Sequence, residues 1–111
     1  MAFNVVTPTK LGQSAITVGN TTLYTVPANT RTFLKEFTIA NTTSAAINVR
    51  VYLVPSGGSA ATSNAFFYDV PVPANNSLLY NGVEIMNAGE KIQVYAASLG
   101  LTITASGAEA V

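Results

Sequence analysis

Apolar and polar residues alternate along much of this chain with the two-residue period of half-buried β-strands. The clearest stretch runs from 45 to 54, where every second residue from Ile47 to Leu53 is apolar. Such alternation points one face of a strand into a core and the other toward solvent. No stretch shows the period of a helix, so the pattern predicts an all-β domain of about eight strands. The residues expected in its core are Ile47, Val49, Val51, Leu53, Ile92, Val94, Leu101 and Ile103.

Turn-forming residues separate these stretches and predict two local features. Gly19-Asn20 lies between strands predicted over 14–18 and 22–26, and a Gly-Asn pair in that position predicts a hairpin. In the long strand predicted over 31–40, a lysine falls on the same face as two phenylalanines. This imperfect alternation favours a β-bulge near Leu34-Lys35.

The chain also partly repeats itself. The turn Val26-Pro27-Ala28-Asn29 recurs 46 residues later at 72–75, and Ile39 recurs at the same offset as Ile85. With three residues dropped from the second copy, 48–52 aligns with 91–95. Chance matches between Val-rich strands are the alternative explanation. A true repeat of two related halves predicts a two-sheet antiparallel β-sandwich of two Greek keys, that is, a jelly roll.

The N-terminal segment stands outside this repeat. Residues 1–13 are rich in turn formers, and Pro8 cannot donate a hydrogen bond to a sheet. The segment is therefore expected to be an extended N-terminal arm or an edge strand, followed by one β-sandwich domain over 14–111. A chain of 111 residues has an ordinary single-domain size.

The chain carries few charges. Basic and acidic residues number 5 each and together make up 9% of the sequence, against about 25% in typical soluble domains. Balanced, sparse charge predicts no binding to nucleic acid, and the apolar runs are too short to cross a membrane. The N-terminus shows no secretory-signal pattern. We expect so weakly charged a surface to be covered by partners, including a second copy in a homodimer with paired edge strands.

Residues for catalysis or metal binding are scarce. The chain has no His and no Cys, so it lacks an imidazole base, a thiolate and the nitrogen or sulfur ligands of transition metals. Asp69, Glu84 and Glu90 remain as candidates for an acid–base pair in glycoside cleavage, and Asp69 as a calcium ligand. They lie on different predicted strands and turns, which favours solvated charges. We predict no catalytic residue, no cofactor and no metal site.

Aromatic and apolar residues outside the predicted core are better candidates for function, because such side chains anchor many protein interfaces. The predicted interface residues are Phe3, Val5, Val6, Tyr52, Phe67 and Tyr95. The alternative is that Tyr52 and Tyr95, which hold equivalent places in the two halves, cap the ends of the sandwich with their hydroxyls in solvent.

Four segments carry a resemblance to a known class of protein. They are Leu23-Tyr24-Thr25-Val26-Pro27-Ala28-Asn29-Thr30, Ile39-Ala40-Asn41-Thr42-Thr43, Val51-Tyr52-Leu53-Val54-Pro55-Ser56-Gly57-Gly58 and Asn87-Ala88-Gly89-Glu90-Lys91-Ile92. These segments resemble small jelly-roll virion structural proteins of tailed bacteriophages. The chain is most similar to the capsid decoration, or staple, proteins of epsilon15-like short-tailed phages, over roughly 22–106.

The resemblance implies a non-enzymatic virion protein on the capsid exterior. Such a protein binds the outside of a bacteriophage head shell, bridges subunits of the major capsid protein and stabilises the shell. The resemblance supplies no catalytic residues and no contact positions. It leaves open a tail- or fibre-associated virion protein, in which exposed Tyr and Asn-rich loops would suit a host glycan.

Overall fold

The computed structural model of the protein describes residues 3–111 and contains eight β-strands. The strands are β1 (Val6–Ala15), β2 (Thr21–Thr25), β3 (Arg31–Asn41), β4 (Ile47–Val54), β5 (Ala65–Val72), β6 (Asn76–Met86), β7 (Lys91–Ala96) and β8 (Leu101–Ala110). A single 3₁₀ turn at Thr62–Asn64 precedes β5.

The strands form two antiparallel sheets of four strands each. Sheet A has the order β1-β8-β3-β6, and sheet B has the order β2-β7-β4-β5. Apart from β4 and β5, no two consecutive strands are neighbours, because the chain passes from one sheet to the other at each of the other connections between consecutive strands. This order is that of a jelly roll. The predicted all-β, two-sheet sandwich of eight strands is therefore confirmed.

The hairpin predicted across Gly19-Asn20 is wrong. β1 ends at Ala15 and pairs with β8, whereas β2 pairs with β7 in the other sheet. The segment between them crosses from sheet A to sheet B, and Gly19 takes a φ of 109° there. Gly and Asn favour a tight change of direction in a crossover as readily as in a hairpin, because both accept positive φ.

The core lies between the inner faces of the two sheets. Seven of the eight residues predicted for it are buried, and Leu53 packs against them from a partly buried position. β3 adds Leu34 and Phe37, which its imperfect alternation concealed. Burial of this continuous apolar cluster is the main favourable contribution to folding.

The internal repeat is visible in the structure. Asn29 and Asn75 end the two Val-Pro-Ala-Asn turns, and their φ angles are 55° and 53°. Asn tolerates this left-handed conformation better than most residues. Each turn leads into a long strand, β3 or β6, and these two strands pair with each other. β4 and β7 also pair, with Val51 directly opposite its repeat equivalent Val94.

The predicted bulge in β3 is confirmed, and it limits the equivalence of the two copies. The ladders of β3 with β6 and with β8 both shift register between Leu34 and Glu36. Lys35 and Glu36 are both exposed, whereas β6 alternates without interruption. Because one extra residue turns every later side chain to the opposite face, the copies match before the bulge and face opposite ways after it.

The N-terminal segment belongs to sheet A from Val6 onward. β1 pairs with β8 over its whole length, with a register shift between Lys10 and Gly12. Leu11 joins the core cluster. The expected division between 1–13 and 14–111 thus falls inside β1, which is an edge strand among the residues that the structure describes.

A polar link joins the two sheets near the chain ends. Tyr24 of β2 donates its hydroxyl hydrogen to the Glu109 side chain of β8, and the Thr32 hydroxyl of β3 donates to the Tyr24 oxygen at 2.7 Å. Burial, followed by the hydrogen bond to Glu109, raises the pKa of Tyr24 to about 12. The link therefore favours the neutral phenol.

Candidate contact surfaces

The surface of residues 3–111 offers patches with defined chemistry. Over residues 3–111 no three His, Cys, Asp or Glu side chains gather as a metal site. An open cleft lies where β3 ends and β6 begins, and amide and hydroxyl groups of 40–42 and 75–77 line it. No helix in this part of the chain is long and apolar enough to span a membrane.

The first patch lies at the chain ends. Val5 and Val111 exchange two backbone hydrogen bonds of 3.2 and 3.0 Å, and both side chains are exposed, as is that of Val6. The Arg31 guanidinium lies over the Phe3 ring, 4.6 Å from its centroid, in a cation–π contact. We call Phe3, Val5, Val6 and Val111 the terminal patch. It brings together three of the six predicted interface residues.

An apolar row crosses the outer face of sheet A beside the terminal patch. Its members are successive register partners on the four strands, namely Pro8, Ala108, Phe33 and Ile85. They face outward, because Leu34, which follows Phe33, belongs to the core. Pro8 lies two residues beyond Val6 in β1 and on the same face, so the terminal patch and the apolar row form one continuous surface.

The outer face of sheet B carries a different patch, built around Arg50. The guanidinium carbon of Arg50 lies 4.3 Å from the Tyr68 ring centroid and 4.6 Å from that of Tyr95. Arg50 Nε and Nη2 donate to the two carboxylate oxygens of Asp69 at 2.6 and 3.1 Å. The hydrogen bond from Arg50 holds the pKa of Asp69 below its ordinary value. We call Arg50, Tyr68, Asp69 and Tyr95 the arginine platform.

Local backbone strain positions the carboxylate of this platform. Asp69 has a φ of 51° within β5, and the ladder of β5 with β4 shifts register between Val49 and Val51. A non-glycine residue in this conformation costs energy, although Asp bears the cost better than most. Two ring contacts and a bidentate ion pair then hold the guanidinium in one orientation.

The third patch is the edge strand β6. Its outward side chains Leu79, Val83 and Ile85 are exposed at 60, 55 and 62%. They alternate with partly buried positions along the whole strand. We call these three residues the edge patch.

The other predicted interface residues do not gather at one place. Tyr95 belongs to the arginine platform, whereas Tyr52 is only 4% exposed and contributes to the interior. Phe67 is partly buried in an aromatic cluster with Phe37 and Tyr80, its ring centroid 5.1 Å from that of Phe37. The interface role of the six residues stays a prediction.

Sequence reasoning did not predict Arg50, Tyr68 and Asp69 as interface residues, and it considered Asp69 only as a catalytic or calcium-binding candidate. One usable signal was the run of three aromatic residues that Tyr68 ends, because a strand cannot direct three consecutive side chains into one core. Their meeting depends on the pairing of β4 with β5 and on the conformation of Asp69. No local pattern of residues reports either.

Comparison with known proteins gives a likeness of fold. No protein-family model matches the sequence, and no curated protein does. The structure is similar to a chain of infectious bursal disease virus, Gx strain, with a TM-score of 0.55 and 13% identity. It is also similar to a chain of T=1 particles derived from infectious bursal virus, with a TM-score of 0.53 and 11% identity.

These matches cover almost all of this chain and a minor part of the others. They include 96% of the present chain but 32% and 30% of the two virus chains. The chain thus spans about a third of the length of the structures it matches. At such low identity the likeness shows the jelly-roll fold alone.

Proposed function

We propose that this chain is a non-enzymatic structural protein of a virion, which binds the outside of a bacteriophage head shell and bridges subunits of the major capsid protein. The likeness of fold to chains of virus particles supports the virion role. The resemblance of four sequence segments to phage decoration proteins supports the finer role. Neither source depends on the other.

The observation that carries the proposal is the presence of two unlike contact surfaces on opposite sides of the sandwich. The terminal patch and the apolar row lie on the outer face of sheet A, and the arginine platform lies on the outer face of sheet B. A protein that bridges two subunits needs a separate surface for each of them. Tyr and Arg, moreover, are the residues most enriched among energetically important interface contacts.

Stabilisation of the shell would follow by mass action. A protein that binds the assembled shell, and not its separated subunits, shifts the equilibrium toward the assembled state. Every copy that spans a boundary between subunits adds its own binding energy. Such a role needs a rigid body and contact area rather than a reactive group, which suits a sandwich with 9% charged residues.

The test is reconstitution on head shells prepared without the protein. The full chain is added to purified shells, and we measure the number of bound copies and the temperature at which the shells break. The proposal predicts hundreds of copies per shell and a higher breaking temperature. Tyr68→Ala and Val6→Asp should each weaken retention, whereas Leu99→Ala, at an exposed position outside all three patches, should not.

Two outcomes would contradict the proposal. A protein that binds intact virions in only a handful of copies would favour the tail- or fibre-associated alternative. A protein that binds shells at full occupancy without changing the breaking temperature would be a passive coat and not a bridge between subunits.

A further inference from the structure

We infer that β6 is the surface through which two copies of this chain pair edge to edge, about a two-fold axis at Gly82. The inference deepens the proposed function and rests on it for its role, because it names a second copy of the chain as the occupant of this edge. Ile85 of the apolar row takes part in this pairing, whereas the terminal patch and the arginine platform lie elsewhere and stay available to the shell.

Three of the four sheet edges in residues 3–111 carry features that oppose strand pairing. β1 contains Pro8 and Lys10 together with a register shift, and β2 has only 5 residues. β5 contains Pro71 and the left-handed Asp69. Proline, lysine, shortness and irregularity are the usual means by which proteins protect free edges.

β6 has no Pro and no Lys, and its one irregularity is a register shift against β3, where Gly82 and Val83 lie opposite Lys35 alone. It is 11 residues long, and its side chains keep an uninterrupted alternation between the two faces of the sheet. Its edge patch adds the exposed apolar groups that strand pairing would cover. A long, apolar edge promotes uncontrolled aggregation unless a defined partner occupies it. β6 is therefore the least protected of the four edges.

A second copy fits this edge because β6 is self-complementary. In an antiparallel pair centred on Gly82, Leu79 of each copy lies opposite Ile85 of the other. Val83 of each copy then lies opposite Asn81, close to the axis. Apolar side chains directly opposite each other across two strands stabilise the pair, so this register gives two such contacts between Leu79 and Ile85.

The single charge of β6 also fits this register. Glu84 of each copy lies opposite Tyr80 of the other, so like charges do not meet. Within one chain the Tyr80 hydroxyl lies 3.4 Å from the Glu84 carboxylate and donates to it, so each carboxylate already has a polar partner beside the axis. A centre at Asn81 would instead set Glu84 opposite Leu78, which leaves the carboxylate against an apolar side chain.

The first test measures self-association by sedimentation equilibrium. The wild-type chain should form a dimer, and Val83→Lys should weaken it by roughly tenfold or more, because it sets two like charges near the axis. Leu99→Lys places the same charge at a residue that is 70% exposed in a turn, and it should leave the dimer unchanged. A wild-type chain that is monomeric at about 100 µM, where even a weak micromolar dimer would assemble, overturns the inference.

The second test measures the register. The chain has no Cys, so Ser77→Cys and Asn87→Cys each provide one site for a spin label. Both residues are five positions from Gly82, so each label should lie roughly 35 Å from its copy. A measured distance that departs from this value by more than about 10 Å, which is the length of about three residues along a strand, overturns the axis at Gly82.

Binding of the wild-type chain to head shells, measured beside its self-association, separates this inference from the proposed function. A monomeric wild-type chain that still coats shells overturns the pairing of β6 and leaves the decoration role intact. A dimeric chain that fails to bind shells supports the pairing and overturns the decoration role.

Discussion

β3 and β6 are copies of one repeated segment, yet equivalent positions occupy opposite environments in them. Phe37 and Ile39 of β3 are 1 and 0% exposed, whereas their equivalents Val83 and Ile85 of β6 are 55 and 62% exposed. The cause is the bulge at Lys35, which reverses the side chains that follow it in one copy only. A repeated sequence therefore predicts a repeated structure only up to the first irregularity.

Position within sheet A adds a second difference. β3 pairs with β8 on one edge and β6 on the other, whereas β6 pairs with β3 alone among the described strands. The neighbour of β3 is adapted to its bulge, because a side chain at Gly107 of β8 would meet the backbone oxygen of Phe33. The central copy is thus fixed by its surroundings on both sides, whereas the edge copy has a strand neighbour on one side only among the described residues.

The largest expected effect comes from placing the same charge at equivalent positions of the two copies. Ile39→Asp buries an unpaired carboxylate, which should cost more than about 4 kcal/mol and unfold the domain. Ile85→Asp leaves its charge in solvent and should change the free energy of unfolding by less than about 0.5 kcal/mol. Urea titration followed by circular dichroism, at protein concentrations that keep the chain monomeric, measures both.

The same two variants, Ile39→Asp and Ile85→Asp, could also contradict the reversal of faces between β3 and β6. If the two variants lose similar stability, β6 is buried and the reversal of faces is wrong.

The next effect concerns the bulge itself. Deletion of Lys35 removes the extra residue, so the segment from Glu36 onward must either turn Phe37 and Ile39 outward or shift its pairing. We expect a loss of roughly 3 kcal/mol or more in the free energy of unfolding. Lys35→Ala keeps the backbone and serves as the matched control, with an expected change within about 0.5 kcal/mol. A deletion variant that melts like the wild type would show that β3 needs no bulge.

β3 and β6 also show which features of the fold could be predicted from the sequence. The alternation of Ile47, Val49 and Val51 identified a central strand, because a half-buried strand has a strict two-residue period. The Val-Pro-Ala-Asn turns identified both loops, because Asn accepts positive φ. The sequence likewise indicated the bulge near Lys35. It did not indicate the consequence for Val83 and Ile85, which depends on comparing two strands that lie far apart in the chain.

The contact surfaces were only partly predictable for a related reason. Phe3, Val5 and Val6 are close in sequence, so their proximity was certain, although the role of Val111 beside them was not. Tyr52 was placed correctly out of phase with the core residues of β4, yet it is buried. Arg50 and Asp69 meet only because β4 pairs with β5. Alternation reports which face a side chain takes, and it does not report what covers that face.

An intermediate effect follows from the polar link that only the central copy makes. Thr32 of β3 takes part in the hydrogen bonds of Tyr24, whereas its equivalent in β6 is the apolar Leu78. Because folding raises the pKa of Tyr24 to about 12, its stabilisation is complete below pH 10, the ordinary pKa of Tyr. It is lost as the pH rises through 12. We expect a loss of about 1–2 kcal/mol over this window after allowance for solvent screening.

Chemical denaturation at several pH values measures this loss. Tyr24→Phe should remove most of the dependence between pH 10 and 12. Tyr80→Phe is the control, because burial, with the neighbouring Glu84, also raises the pKa of Tyr80, and its removal should leave the contribution of Tyr24 in place. An unchanged pH profile in Tyr24→Phe would assign the dependence to another group.

The smallest effect tests the part of the repeat that precedes the bulge, where the copies should behave alike. Asn29→Ala and Asn75→Ala each place a β-carbon in the left-handed conformation, with φ of 55° and 53° in the wild type. Each should cost about 1 kcal/mol, and the two costs should agree within about 0.5 kcal/mol, the usual limit for independent sites. Asn29→Gly and Asn75→Gly are the controls, because glycine takes this conformation without strain. Thermal melts of the four variants measure the difference. If the two turn variants lose equal stability while Ile39→Asp and Ile85→Asp do not, the two copies diverge at the bulge. Unequal costs at the turns would instead show that the copies already differ before the bulge.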